Sequence, residues 1–166
     1  MRNDIILVRP TLELKEEALA YREEHFQQGE KIIYGSELLD KTESYEEWLT
    51  DITRNTDPKT VSETWAVTDT FFAVRESDAR IVGIIDLRHT LNDFLKDLGH
   101  CGYSVRPSER RKGYATEMLC KLIETAKESG MKELQISVER ENTASRKVIE
   151  RNGGVYERSF VFDLFT

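Results

Sequence analysis

The sequence predicts an α/β domain built on a mixed central sheet flanked by helices. Three observations point there. The length of 166 residues suits one compact domain, so residues 1–166 are expected to fold as a unit. An apolar fraction of 39% against a charged fraction of 33% supplies one core under a heavily solvated surface. Short strand-like runs also alternate with amphipathic stretches, in the order β, α, α, three strands, α, β, α, β. No internal period or low-complexity tract suggests a repeat architecture.

The elements follow in order. Residues 5–8, Ile-Ile-Leu-Val, read as a first strand that Arg9-Pro10 ends. Leu14, Ala18, Leu19 and Phe26 fall loosely at helical spacing and predict a helix over residues 14–26. Ser44-Tyr45-Glu46-Glu47 has the capping-box form and opens a short helix through Trp48 and Leu49. The polar residues 53–68, with Asp57-Pro58, are expected to be a long loop forming a wall or lid of a pocket. Residues 71–75 and 80–89 flank Glu76-Ser77-Asp78-Ala79 and predict a hairpin. Residues 91–98 read as a connection and 99–105 as a further strand. Ala115, Met118, Leu119, Leu122, Ile123 and Ala126 then mark one buried helix face, which Gly130 ends. Leu134, Ile136 and Val138 alternate as a strand. Asn142 can cap a helix containing Ala144, Val148 and Ile149, which Gly153-Gly154 stops. Val155 and Tyr156, then Phe160, Phe162 and Leu164, give closing strands.

Charge narrows the function. The formal net charge is −7, and a chain this acidic is a poor general partner for nucleic acid, which needs a basic face. The acidic residues crowd the first half, while a basic cluster occupies residues 106–112. An anionic ligand would choose that cluster; the acidic runs read first as solvated helix faces, with a cationic substrate as the other reading. Two cysteines, Cys101 and Cys120, without a CxxC pair fit a reducing cytosol and argue against a zinc site. No signal core and no stretch of about 18–20 apolar residues is present, so the expectation is a cytoplasmic protein with no membrane or metal partner.

The chemistry concentrates in residues 102–115, a strand followed by a basic loop and a helix start. A helix's first turn has N–H groups without intrahelical partners and the positive end of the dipole. Gly113 lets a ligand approach the backbone, and Arg110, Arg111 and Lys112 add charge. Together these predict a pyrophosphate cradle. The P-loop pattern and the Gly-x-Gly-x-x-Gly fingerprint are both absent. What stands there is Arg110-x-x-Gly113-x-Ala115.

In this setting the motif resembles the acetyl-CoA signature of the GNAT superfamily, written Q/R-x-x-G-x-G/A. The resemblance extends upstream to Gly102-Tyr103-Ser104-Val105-Arg106-Pro107, which looks like that family's fourth strand and its exit. Downstream, residues 138–145 look like the end of a fifth strand and an Asn-led helix, and residues 150–154 like that helix's Gly-terminated end. Residues 106–119 and 147–154 together resemble a bacterial group of acetyltransferases.

The resemblance implies a mostly antiparallel sheet with splayed fourth and fifth strands and the pantetheine arm of acetyl-CoA between them. Backbone groups of Tyr103, Ser104 and Val105 would pair with that arm. The loop of Arg110, Arg111, Lys112, Gly113, Tyr114 and Ala115 would hold the pyrophosphate, and Asn142 and Ser145 would line the other side. The acetyl group would pass to a primary amine, of a small molecule or a peptide, by direct attack. Many relatives place a tyrosine acid in the last helix; the matching position here is Ile149, leaving Ser145 or a water. The position matching their glutamate base is His100, which titrates near neutral pH. Asp86 and His89 on the adjoining strand are alternative bases. The rival from another class is a non-catalytic acyl-CoA-binding module or sensor, and a nucleotide-binding regulator stands third. Phe160, Phe162 and Leu164 would bury against the core or against a second copy, as in a homodimer.

Overall fold

Thr68–Arg75 and Arg80–Arg88 form β2 and β3, the hairpin at the centre of the sheet. They belong to a computed structural model that describes residues 4–159. Ile5–Val8 (β1) pairs with β2, and Tyr103–Val105 (β4) pairs with β3. The sheet order is β1-β2-β3-β4, and every pairing is antiparallel. Four helices flank it: α1 Lys15–Gln27, α2 Tyr45–Arg54, α3 Tyr114–Glu128 and α4 Thr143–Arg151.

The two sheet faces bury separate cores. On one, Phe71, Ile85 and Leu87 meet Met118, Leu119 and Leu122 of α3, with Val148 of α4 beyond. On the other, Phe72 and Ile84 meet Ala18 and Tyr21 of α1 and Trp48 and Ile52 of α2. The predicted α3 face is therefore the one buried. The capping box forms in part: Ser44 Oγ accepts the Glu47 N–H at 3.2 Å. Asn142 caps α4 as expected, its Oδ1 accepting the Ser145 N–H at 3.1 Å.

Polar bonds add to the buried Ala18 and Tyr21 in holding helix α1. Arg106, 6% exposed, donates to Glu17 at 2.8 Å and to Glu24 at 3.2 Å. Glu17 also accepts the Ile81 N–H at the sheet. Because Arg106 has two carboxylate partners, losing one leaves the other to balance its charge, so the cost stays below the ~3–5 kcal/mol of a broken fully buried pair.

Three expectations need correction. The strand predicted over residues 99–105 shortens to Tyr103–Val105, because the Gly102 N–H leaves the ladder for Asp86 Oδ1 at 2.6 Å. The strand predicted at 134–138 does not form; that segment makes one antiparallel bridge, Ile136 to Gly99. A strand needs ladder partners, and β4 has already diverged when the segment passes it. Residues 155–159 form no strand either. Phe160, Phe162 and Leu164 lie outside the described residues.

Candidate functional site

The site begins at the open edge of β4. The carbonyls of His100 and Gly102 accept from Arg88 and Asp86 of β3, and the Arg106 N–H donates to Val82 O. Antiparallel strands alternate, so the N–H and C=O groups of Cys101, Tyr103 and Val105 face the other way. Ser104, expected to offer its backbone to a ligand, instead turns it toward β3. Its hydroxyl donates to Tyr34 O and its carbonyl accepts from Tyr21 Oη. Val105 O accepts from Arg110 Nε at 3.1 Å. The 134–138 segment touches the chain just before β4, through His100 N–H to Gln135 O at 2.7 Å and Ser137 Oγ to Asp97 O at 2.6 Å. Beyond that point the edge is unpaired by any strand among the described residues.

The basic loop starts where β4 ends. Arg111 adopts φ 62° and Gly113 φ 86°, and Gly113 is the N-cap of α3 with no side-chain cap. A Cβ at Gly113 would meet nothing within 4 Å, so the space before the helix is open. The charges in this loop are unequal. Arg110 grips Glu30 with two bonds of 2.6 and 2.7 Å. Glu30 is correspondingly held down to about 2 by the Arg110 hydrogen bond. Lys112 reaches Glu109 at 3.0 Å. Arg111 is exposed and forms no ion pair among the described residues. Arg110 thus fixes the loop to the chain just after α1, and Arg111 is the cation most available to an anion.

Tyr103 spans from β4 to α4, its hydroxyl 2.5 Å from Ser145 Oγ. Burial raises the Tyr103 pKa, and the Ser145 bond partly offsets this. Asn142 fixes Ser145 from below, so three of the expected residues form one connected set. Tyr114 and Ala115 open α3, and Ile149 lies half-buried against the α3-side core.

His100 is 6% exposed, and its Nδ1 accepts the Gln135 N–H at 2.8 Å. That bond occupies the lone pair and leaves the ring proton on Nε2, a tautomer assigned from the hydrogen bond. Burial lowers its pKa. As placed, His100 ties the approach to β4 to the 134–138 segment and lacks a free lone pair for a substrate proton. His89 is engaged with Asp69 at 2.7 Å. Cys101 is buried, which pushes its thiol pKa up and fits an inert side chain.

One functional candidate escaped the sequence reading altogether. Glu37, on the loop between α1 and α2, lies against Asp86. Burial first, and the neighbouring Asp86 second, raise the Glu37 pKa and hold its carboxyl protonated. No periodicity or motif marks Glu37. Its only local signal is proximity to Gly35, which has φ 76° and sits so close over Gly102 that a Cβ would overlap the Gly102 carbonyl.

Among the described residues no three His, Cys, Asp or Glu side chains are placed to hold a metal ion, and no helix is long and apolar enough to cross a membrane.

The α/β fold and the open β4 edge fit an acetyltransferase, and the comparisons give the family. The family model described as an acetyltransferase (GNAT) domain matches residues 4–155, so the chain belongs to the GNAT acetyltransferase family. No curated protein sequence matches it. Among solved structures, a protein of Bordetella pertussis assigned as a GNAT-family acetyltransferase superposes with a TM-score of 0.67. The identity is 13%, covering 98% of this chain and 92% of that one. A Vibrio cholerae protein assigned as a ribosomal-protein-serine acetyltransferase gives 0.63 at 17% identity, over 92% and 80%. The microcin C7 self-immunity acetyltransferase MccE, solved with acetyl-CoA and AMP, gives 0.60 at 17% identity, over 92% and 79%. At such identities these likenesses speak for the fold.

Proposed function

We propose that this protein moves the acetyl group of acetyl-CoA to a primary amine by direct attack. The observation that carries the reading is the unpaired edge at Tyr103 and Val105, leading into the uncapped start of α3. An extended chain with amide groups can add to such an edge as a strand would. Its pyrophosphate would then meet the helix N-terminus at Gly113, with Arg111 beside it. Tyr103, Val105, Arg111, Gly113 and Ala115 are the residues assigned to the cofactor. Lys112 and Tyr114 flank the same turn, and Arg110 positions the loop rather than gripping the ligand. Asn142 holds Ser145 in place.

In the reaction the amine nitrogen bonds to the acetyl carbon and the carbon–sulfur bond breaks. The electron pair leaves on sulfur, and the nitrogen sheds a proton. A thiol is a far stronger acid than an alcohol, so the departing thiolate needs little help. The coupled hydroxyls of Ser145 and Tyr103 are the available proton source. His100 is assigned a positioning role, since its Nδ1 is already bonded to Gln135. We place the protein in the cytoplasm, on the two unpaired cysteines.

The test mixes the protein with acetyl-CoA and a panel of primary amines and follows free thiol. Thiol release that rises with amine concentration is expected. Coenzyme A binding with no amine-dependent release would instead favour a sensor, the reading to which Ile149 lends weight.

A further inference from the structure

We propose that Glu37, Asp86 and Thr70 form the acceptor subsite, and that the acceptor enters it as a primary ammonium on an apolar stem. The inference rests on the acetyltransferase reading above and names its second substrate.

The placement is specific. Thr70 and Asp86 are register partners across β2 and β3, so their side chains leave the sheet on the same face. That face also carries Phe72 and Ile84, against which the Trp48 side of the molecule packs. Asp86 reaches the backbone of Gly102, immediately before Tyr103, so the subsite adjoins the open β4 edge. Glu37 closes it from above. Trp48 Nε1 donates to Ser36 O at 2.9 Å and to Glu37 O at 3.0 Å, fixing the loop. Ile33 and Leu39 anchor the loop's two ends in the core.

Two observations call for a ligand there. Thr70 is 3% exposed, yet its Oγ1 has no hydrogen-bond partner. A buried hydroxyl left without a partner is destabilising, and native proteins rarely keep one without a use for it. The second is a charge deficit. Asp86 meets Arg88 at a long 3.3 Å, and Arg88 is also bonded to Gly99 O at 2.7 Å. Glu37 forms no ion pair among the described residues. Two carboxyls therefore share one cation, and one of them stays protonated for want of another. An ammonium would supply the missing charge and donate to both carboxylates, and passing one proton to the Asp86 carboxylate would free the nitrogen lone pair for attack. On the same loop as Glu37, Ile32, Tyr34 and Leu38 are exposed and offer apolar surface to the stem behind that ammonium.

The experiment follows the Glu37 carboxyl carbon by NMR in ¹³C-glutamate-labelled protein saturated with coenzyme A, its resonance assigned with Glu37→Gln. The probe is n-butylammonium chloride, with n-butanol and sodium chloride as controls. Butylammonium should lower the Glu37 titration midpoint by about one pH unit or more, the usual effect of an adjacent opposite charge. Neither control should move it, and Asp86→Asn should abolish the response. In the thiol assay with n-butylamine, Glu37→Gln should raise the amine KM about tenfold, the scale of one charge-assisted hydrogen bond, and leave the acetyl-CoA KM unchanged. A Glu37 midpoint indifferent to butylammonium, while coenzyme A still shifts the amides of residues 111–115, overturns the subsite alone. Amides indifferent to coenzyme A overturn the acetyltransferase reading and this inference with it.

Discussion

Replacing Gly113 with aspartate separates the cost of backbone strain from the cost of misplaced charge. Gly113 has φ 86°, a conformation that carries about 1–2 kcal/mol of strain for a residue with a Cβ. For a chain of this size that lowers the melting temperature by about 2–8 °C. No steric penalty adds to it, because a Cβ at Gly113 meets nothing within 4 Å. The carboxylate would project into the space assigned to the pyrophosphate. At about 5 Å and an effective dielectric of about 20, two unit charges repel by about 3 kcal/mol. That corresponds to roughly a hundredfold loss of affinity. Gly113→Ala carries the strain without the charge and should retain most of the binding. Calorimetric titration with coenzyme A, alongside thermal unfolding, gives both numbers. A folded Gly113→Asp variant that binds coenzyme A like the parent would falsify the placement of the pyrophosphate.

Other outcomes follow from the same geometry. Glu30 is depressed on folding, so its stabilisation is full above its ordinary value of 4.5 and fades as pH falls toward about 2. With side-chain exposures of 34% and 43%, solvent screening limits the Glu30–Arg110 pair to about 1 kcal/mol; Glu30→Gln should flatten acid unfolding in that window, and an unchanged profile would contradict the ion pair. His100 is also depressed, so its contribution is present above its ordinary 6.5 and is lost as pH drops below that. His100→Ala should remove this dependence and, by orphaning the Gln135 N–H, cost about 1–3 kcal/mol in denaturant titration. If the acidic limb of the pH–rate profile disappears as well, His100 does more than position. Trp48→Phe should lose two hydrogen bonds, about 1–3 kcal/mol in all, and raise the amine KM more than the acetyl-CoA KM. Gly35→Ala should disrupt the same loop more severely, since its Cβ would overlap Gly102 O; a melting temperature like the parent's would contradict that packing.

Much of the fold was legible because its signals are local. The α3 face, the Ser44 cap, the Asn142 cap and the turn between β2 and β3 each depend on residues a few positions apart. The fifth strand was misread for the complementary reason. Leu134, Ile136 and Val138 do alternate, but a strand also needs a neighbour, and only Ile136 finds one. At the site, the Gly113 turn could be read from its own residues. The commitments of His100 and Arg110 could not, because their partners, Gln135 and Glu30, lie 35 and 80 positions away. Glu37 was invisible for a similar reason. It matters only because Trp48 and Gly35 fold its loop onto the start of β4.

The three-residue length of β4 also governs how copies of the protein meet one another. An exposed sheet edge invites a strand from another molecule, and long flat edges are the dangerous ones. Here the vacant edge offers two outward-facing residues, and one of their carbonyls already accepts from Arg110. The α1 end, through Glu30 and Arg110, and Tyr103 bridging to Ser145 stand on either side of it. A neighbouring polypeptide therefore finds too little backbone there to grip. An edge left open in this way is kept from becoming a seed for strand-to-strand aggregation.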